Sequence, residues 1–285
     1  MALKDYLKLM RIHQWIKNFF VFPALIFSSN LFSIEKLTII IFAFIVFCIA
    51  SSSVYIINDL LDVKEDRKHP IKKDRPLASN KIKKYQALTL LIVLLAISIF
   101  SSYFISMGFV LIILIYIVMN LLYSLWLKHV VILDVLIVAI GYVLRVIAGA
   151  IAIGTYLSPW LLGMALTVAM MISLAKRHSE IENQGVTKRK VLKHYDTSFI
   201  NSLLIFSAAL TMTIYLLWCI ENRINTNENA LIASALFVFY GIIRYLYLTL
   251  KLKKAETPIK ILLKDIPMQI NVFLWLVYMI ILIYL

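Results

Sequence analysis

The sequence predicts an all-α integral membrane protein, a bundle of about nine transmembrane helices with the N-terminus cytoplasmic and the C-terminus outside. Three observations carry this. Of the 285 residues, 62% are hydrophobic and 15% charged, whereas a soluble domain is roughly 25% charged. Runs such as Leu37–Tyr55 and Ala87–Ser106 contain no charge at all, and about 20 apolar residues suffice to cross the roughly 30 Å hydrocarbon layer. Lysine and arginine, finally, collect in alternate connections, which orients the bundle.

The apolar segments in order are 18–34, 37–56, 86–105, 107–126, 130–152, 158–175, 199–219, 229–250 and 267–285. They are apolar on all sides, so barrel strands of period two do not fit, and helices that satisfy their own backbone are expected. The first segment lacks a small-residue cleavage site and is followed by further spans, so it reads as a helix rather than a signal peptide. With no internal repeat or linker, the chain reads as a single transmembrane domain over 1–285.

The formal net charge of +14 raises the question of a nucleic-acid partner. Its distribution answers it: 25 of the 29 Lys and Arg lie in segments 1–17, 57–84, 176–198 and 251–266 and at Lys128. Only Lys36 and Arg223 fall in the opposite connections, while Arg145 and Arg244 fall within spans. That is the positive-inside pattern, and no nucleic acid is called for. The basic loops are expected to face anionic lipid headgroups. Cys48 and Cys219 lie inside expected spans and read as buried apolar residues. Nothing in the sequence sets an oligomeric state.

The polar residues concentrate where the chemistry is expected. After the second span the chain reads Asn58-Asp59-Leu60-Leu61-Asp62-Val63-Lys64-Glu65-Asp66-Arg67, continuing to Lys73-Asp74-Arg75-Pro76-Leu77. On a continued helix Asp59, Asp62 and Asp66 share one face, with Asn58 and Glu65 at its margins. Two readings fit: a solvated acidic loop, or a site for Mg²⁺, which takes hard oxygen ligands and phosphate. Six basic residues within Lys64–Arg75 favour the second, a metal–diphosphate site.

Other polar groups are candidates for the same site. Lys176-Arg177-His178-Ser179-Glu180 follows the sixth span, where a plain topological role for the cations competes with phosphate binding. Tyr123 and Lys128 precede the fifth span, which carries Asp134 and Arg145. These two are about 16 Å apart along a helix, too far to pair. Arg145 is thus expected to have an internal role, and Asp134 to lie near the interface in solvent. In Arg11-Ile12-His13-Gln14-Trp15-Ile16-Lys17-Asn18, Gln14, Lys17 and Asn18 share an arc that either anchors at the interface or reaches a cytoplasmic pocket. The five histidines show no zinc-ligand spacing.

Asn58-Asp59-x-x-Asp62-x-x-x-Asp66 followed by Arg75-Pro76-Leu77 resembles the first aspartate-rich motif of the UbiA superfamily of membrane prenyltransferases. Gln14-Trp15-x-Lys17-Asn18, Tyr123-Ser124-x-x-x-Lys128 with Asp134, Leu144-Arg145-x-x-Ala148-Gly149, Lys176-Arg177-x-x-Glu180, and Arg244-Tyr245 with Leu263-Lys264-Asp265 resemble its decaprenyl-phosphate phosphoribosyltransferase branch. The resemblance implies a UbiA-like bundle in the cell (inner or plasma) membrane, its active site facing the cytoplasm. It implies an Mg²⁺-dependent transfer of 5-phosphoribose from phosphoribosyl diphosphate to a polyprenyl phosphate lipid, with diphosphate released. Asn58, Asp59, Asp62 and Asp66 would hold the metal. Arg75, Lys128, Arg145, Lys176, Arg177, Glu180, Tyr123, Gln14, Lys17 and Asn18 would contact substrate. In one respect the sequence departs from the superfamily: its second motif is Lys176-Arg177-His178-Ser179-Glu180 rather than several aspartates. Extra cations suit a donor with an additional phosphate. The alternative is transfer of a prenyl group from prenyl diphosphate to an aromatic or other lipophilic acceptor.

Overall fold

The computed structural model describes residues 3–182, 190–221, 228–251 and 264–284. Arg223 and Leu263 lie outside them. Among the described residues the chain is helical and packs as two compact units, one of Met1–Ile137 with Gly141–Leu157 and the other of Val138–Ile140 with Ser158–Leu285. Among the described residues eight helical segments are long and apolar enough to cross a membrane.

The first unit begins with α1 (Leu3–Leu9), a 3₁₀ helix (Ile12–Val21) and α2 (Pro23–Phe27). Then follow α3 (Ile34–Leu61), the one-turn α4 (Val63–Asp66), α5 (Lys84–Tyr103), α6 (Met107–Leu125) and α7 (Leu133–Ala152). Local chemistry sets several of these starts. Ser33 and Ser106 accept the backbone N–H of Lys36 (3.4 Å) and Phe109 (3.1 Å), capping α3 and α6. Pro23 opens α2, where its missing N–H costs nothing. The most apolar stretches of α3 and α7 are each 61% buried, against 28% for α5 and α6.

The expected first span, 18–34, is not one helix. Arg11 adopts a left-handed backbone (φ 51°), and the chain then winds as a ten-residue 3₁₀ helix before α2. This segment runs antiparallel along α3. Arg11 meets Asp59, the Trp15 indole N–H donates to Ser52 Oγ (3.0 Å), and the Asn18 amide donates to Ser51 Oγ (3.1 Å). Further on, the Phe22 ring meets Phe44 at 5.5 Å. From residue 44 to 59 an α-helix rises about 22 Å. The eleven steps from Arg11 to Phe22 cover the same height only at about 2.0 Å each, the 3₁₀ rise. Ser51, Ser52 and Ser53 satisfy their hydroxyls on carbonyls of α3 itself, so the small, internally bonded surface lets the segment lie close.

α7 closes on the same segment. A Cβ on Gly149 would stand 1.9 Å from the Val21 carbonyl oxygen, so only glycine permits this approach.

Between α4 and α5 the connection is pinned from beneath by buried Leu77, Ala78 and Ile82; Leu77 and Ile82 join Leu9, Ile56 and Ala87 in one cluster. From above, the Arg67 guanidinium donates to the Ala78 carbonyl (3.2 Å) and Asn80 Oδ1 (2.6 Å). His69 Nδ1 accepts the backbone N–H of Ile71 and of Lys72, both at 3.2 Å, which requires that nitrogen unprotonated. Burial, with the nearby Lys72 ammonium, holds the imidazole below its ordinary value of 6.5.

The second unit comprises α8 (Pro159–Glu182), α9 (Thr197–Glu221), α10 (Glu228–Ala233), α11 (Ala235–Leu246), a π-helical turn (Tyr247–Lys251) and α12 (Ile266–Tyr284). α8 and α9 form an antiparallel hairpin, the Trp160 indole at the start of one donating to Glu221 at the end of the other (2.7 Å). The Tyr215 hydroxyl joins α9 to Ser234 (2.6 Å) and accepts from the Trp275 indole of α12 (3.0 Å). Asp265 accepts the Met268 N–H (3.0 Å) and so caps the start of α12.

Two outcomes follow. Gly149→Ala should destabilise the protein by about 1–3 kcal/mol. Gly163→Ala, whose Cβ would meet Ile214 at an ordinary 3.4 Å, should stay within about 0.5 kcal/mol, both read by thermal unfolding in detergent. For His69, a base with a depressed folded pKa, the neutral form is the folded one. Its contribution is complete above the ordinary 6.5 and is lost as pH falls through the lower folded value. Exchange of the Ile71 and Lys72 amides, corrected for intrinsic rate, should therefore accelerate between about pH 7.5 and about pH 5. His69→Asn, whose Oδ1 preserves the acceptor, should abolish that acceleration.

Candidate active site

The three aspartates stand at the end of α3. Asp62 ends that helix and begins α4, with φ −91° and ψ 4°. Its N–H still bonds the Asn58 carbonyl (3.0 Å) and its carbonyl takes the Asp66 N–H (2.8 Å), so the chain keeps a nearly helical course through the junction. Asp59 and Asp66 consequently stay on one side and are buried, 2% and 3% exposed.

Buried carboxylates need cations, and each has one. Arg75 Nη1 donates to Asp59 Oδ1 at 3.0 Å and to Asp66 Oδ2 at 2.6 Å. Arg11 donates to the same Asp59 oxygen, and its guanidinium lies over the Tyr55 ring, 5.1 Å from the centroid. Asp62 turns instead toward the α6–α7 connection, where it accepts from Lys128 Nζ at 2.6 Å. Asn58 Oδ1 accepts from Ser124 Oγ at 3.3 Å.

The spacing argument thus brings together Asp59 and Asp66, while Asp62 faces the α6–α7 connection and Asn58 the end of α6. Among the described residues no three His, Cys, Asp or Glu side chains gather as a ready-made metal site. The donor set nonetheless fits Mg²⁺: the oxygens are hard, and two buried acids converge on one point where a positive charge already stands.

Other candidates have different roles from those expected. Arg145, anticipated as a phosphate contact, is 4% exposed and committed elsewhere. Nε donates to Asn18 Oδ1 (2.7 Å), Nη1 to the Gly141 carbonyl (2.5 Å) and Nη2 to the Tyr116 hydroxyl (3.0 Å). The rings of Phe47, Tyr116 and Tyr142 surround it at 5.0, 4.9 and 5.4 Å. Asn18 is equally engaged, its amide nitrogen reaching Cys48 and Ser51 while its oxygen takes Arg145. Both tie segments of the first unit together. Asp134, expected in solvent, is fully buried in the first turn of α7. Gln14, Lys17 and Tyr123 are half-buried.

In the second unit α8 runs seven residues past its expected end at 175 and carries the basic motif as helix. Arg177, His178 and Ser179 are buried and Lys176 is exposed. Arg177 Nη1 bonds Glu180 Oε2 at 2.5 Å. Arg244 grips Asp265 with two nitrogens, at 3.1 and 2.9 Å, while stacked over Tyr247.

Two residues of the first cluster escaped sequence reasoning. Arg11 stood only as the first residue of the stretch before the first span, and Ser124 only as a position in Tyr123-Ser124-x-x-x-Lys128.

Residues 18–277 match the model of the UbiA prenyltransferase family. The chain is 34% identical over 223 residues to the decaprenyl-phosphate phosphoribosyltransferase of Mycolicibacterium smegmatis, covering 74% of this chain and 69% of that protein. It is 31% identical over 221 residues to that of Mycobacterium tuberculosis, covering 75% and 73% respectively. In fold it is similar to a UbiA homologue from Archaeoglobus fulgidus bound to GPP and Mg²⁺, with TM-score 0.71, 22% identity, and coverage of 99% and 100%. A match over nearly the whole chain, together with an aspartate cluster at the end of α3, leads to one statement: this chain belongs to the UbiA prenyltransferase family.

Proposed function

We propose that the protein transfers 5-phosphoribose from phosphoribosyl diphosphate to a polyprenyl phosphate, releasing diphosphate. The observation that carries this is the cluster of three acids and three bases at the end of α3, a site suited to a metal and a diphosphate together. The choice of a phosphoribosyl donor is supported by the 34% identity to a decaprenyl-phosphate phosphoribosyltransferase. The basic sequence Lys176-Arg177-His178-Ser179-Glu180 supports it independently, since it suits a donor with a further phosphate.

Asp59, Asp62 and Asp66, with the Asn58 amide, are the residues to hold Mg²⁺, which when bound supplies neutralisation of the leaving diphosphate. Arg75 and Lys128 are assigned to diphosphate oxygens, where guanidinium and ammonium donors are most effective in a partly dry site. In the first unit Gln14, Lys17 and Tyr123 are assigned to contacts with the donor; in the second, the resemblance alone assigns Lys176 and Arg177 to phosphate and Glu180 to the sugar. The acceptor phosphate is already anionic near neutral pH, its second pKa being about 6. No strong general base is therefore needed. The lipid chain enters from the bilayer and the charged donor from the cytoplasm, so an interfacial site serves both.

The orientation follows from the basic connections and from the 3₁₀ segment, which runs alongside α3 and with α2 acts as a ninth, broken crossing. The N-terminus is then cytoplasmic and the C-terminus outside. Reporter fusions at the two ends should report opposite sides; the same side for both would remove the ninth crossing.

The transfer is tested with purified protein in detergent, Mg²⁺, polyprenyl phosphate and labelled phosphoribosyl diphosphate, following label into lipid. Asp59→Asn, Asp62→Asn and Asp66→Asn should each lower kcat by about 100-fold or more. Absence of transfer, with consumption of a prenyl diphosphate and an aromatic acceptor instead, would replace the reading with aromatic prenylation.

A further inference from the structure

We propose that Arg11 and Arg75 are exchangeable counter-ions: they neutralise Asp59 and Asp66 in the free protein and pass to the diphosphate when metal takes the acids. The proposal rests on the metal–diphosphate reading above and adds to it a role for Arg11 and a mutual dependence of metal and diphosphate binding.

The argument begins with charge. Asp59, Asp62 and Asp66 face Arg11, Arg75 and Lys128, three acids against three bases, so the cluster as it stands is balanced. A divalent ion arriving alone gains no net attraction there. On Asp59 it would stand within a few ångström of two guanidiniums, in surroundings where like charges repel far more strongly than in water. One partner must move. The acids cannot: their side chains are 3% and 5% exposed and borne on α3 and α4. The bases are different. Arg11 and Arg75 are 20% and 25% exposed and end long, flexible side chains. Once displaced, a guanidinium needs an anion, and a diphosphate offers paired oxygens that match its fork.

Metal and diphosphate therefore assist each other. The metal releases the guanidiniums to bind phosphate, and phosphate holds them off the acids. By linkage each raises the other's affinity by the same factor, typically about 5- to 150-fold. Removing a guanidinium has two opposite effects, one on each ligand. The acids become freer for metal alone, and the diphosphate loses a partner. A residue with a purely architectural role would weaken both.

The test uses the full-length protein with Mn²⁺ in place of Mg²⁺, free Mn²⁺ being read by electron paramagnetic resonance, with and without inorganic diphosphate. Neither ribose nor acceptor enters, so the result is independent of which group the enzyme transfers. Arg75→Gln and Arg11→Gln, shown folded by thermal melts, should bind Mn²⁺ alone about 5-fold or more tightly than wild type. Their gain in affinity on adding diphosphate should shrink by a similar factor. Should the glutamine variants not fold, Arg75→Lys carries the test. It keeps the charge, but its ammonium ends one bond short of Nη1, the nitrogen that serves both acids, and it too should bind Mn²⁺ alone more tightly than wild type. Folded variants that bind Mn²⁺ alone no better than wild type would overturn the exchange. Wild-type protein that binds Mn²⁺ and diphosphate independently would do the same while leaving the metal–diphosphate site standing. Wild-type protein that binds neither would overturn that site and the exchange with it.

Discussion

Two carboxylates buried at the end of a membrane helix require cations within hydrogen-bond reach, and that requirement draws separate parts of the first unit to one place. Asp59 and Asp66 are bridged by Arg75 from the α4–α5 connection, and Asp59 is held also by Arg11 from the junction of α1 with the 3₁₀ helix. Lys128 reaches Asp62 from beyond α6. None of these bases is adjacent in sequence to the acid it meets. Removing one partner of such a pair leaves a buried charge uncompensated, a loss of about 3–5 kcal/mol in the fully buried case. Arg11 and Arg75 are partly exposed, so the loss here is smaller. The same partial exposure is what allows those cations to be traded for others.

A second charge deeper in the first unit is handled differently. Arg145 has no carboxylate among its hydrogen-bond partners; an amide oxygen, a carbonyl, a phenol and three aromatic faces receive it instead. Those partners come from the 3₁₀ helix, α3, α6 and α7, so one guanidinium ties the four segments together. Asn18 relays the tie to Ser51 and Cys48 of α3, and the absence of a side chain at Gly149 brings α7 against Val21. The layer that carries Arg11 is thereby held in register with the layer that carries Asp59. Arg145 thus holds together the segments that surround the cluster.

The two kinds of charge serve different ends. At Arg145 the donors are spent on neutral groups that cannot leave, which gives a permanent joint. At Asp59 and Asp66 the partners are ions, each replaceable by another ion of the same sign. Sites that bind a metal and a diphosphate need the second arrangement, since their acids must be stable without ligand and available with it. The family match over residues 18–277 is consistent with a catalytic use of that cluster.

Hydrophobic run length alone determined the helical membrane architecture. Segments such as 107–126 and 199–219 appear within a few residues of their expected ends, at Met107–Leu125 and Thr197–Glu221. Helices in lipid satisfy their own backbone, so little else is needed to infer them. The acidic face was legible for the same local reason, because helical periodicity relates Asp59 to Asp66 whatever surrounds them. Tertiary structure decided the rest. Residues 12–21 wind as a 3₁₀ helix alongside α3, and residues 176–182 continue α8, neither of which apolar run length marks. Arg145 could be seen to need a partner, but not that Asn18, 127 positions away, would supply it. Pairing partners for a buried charge are chosen by distance in space, and a lone sequence records only distance along the chain.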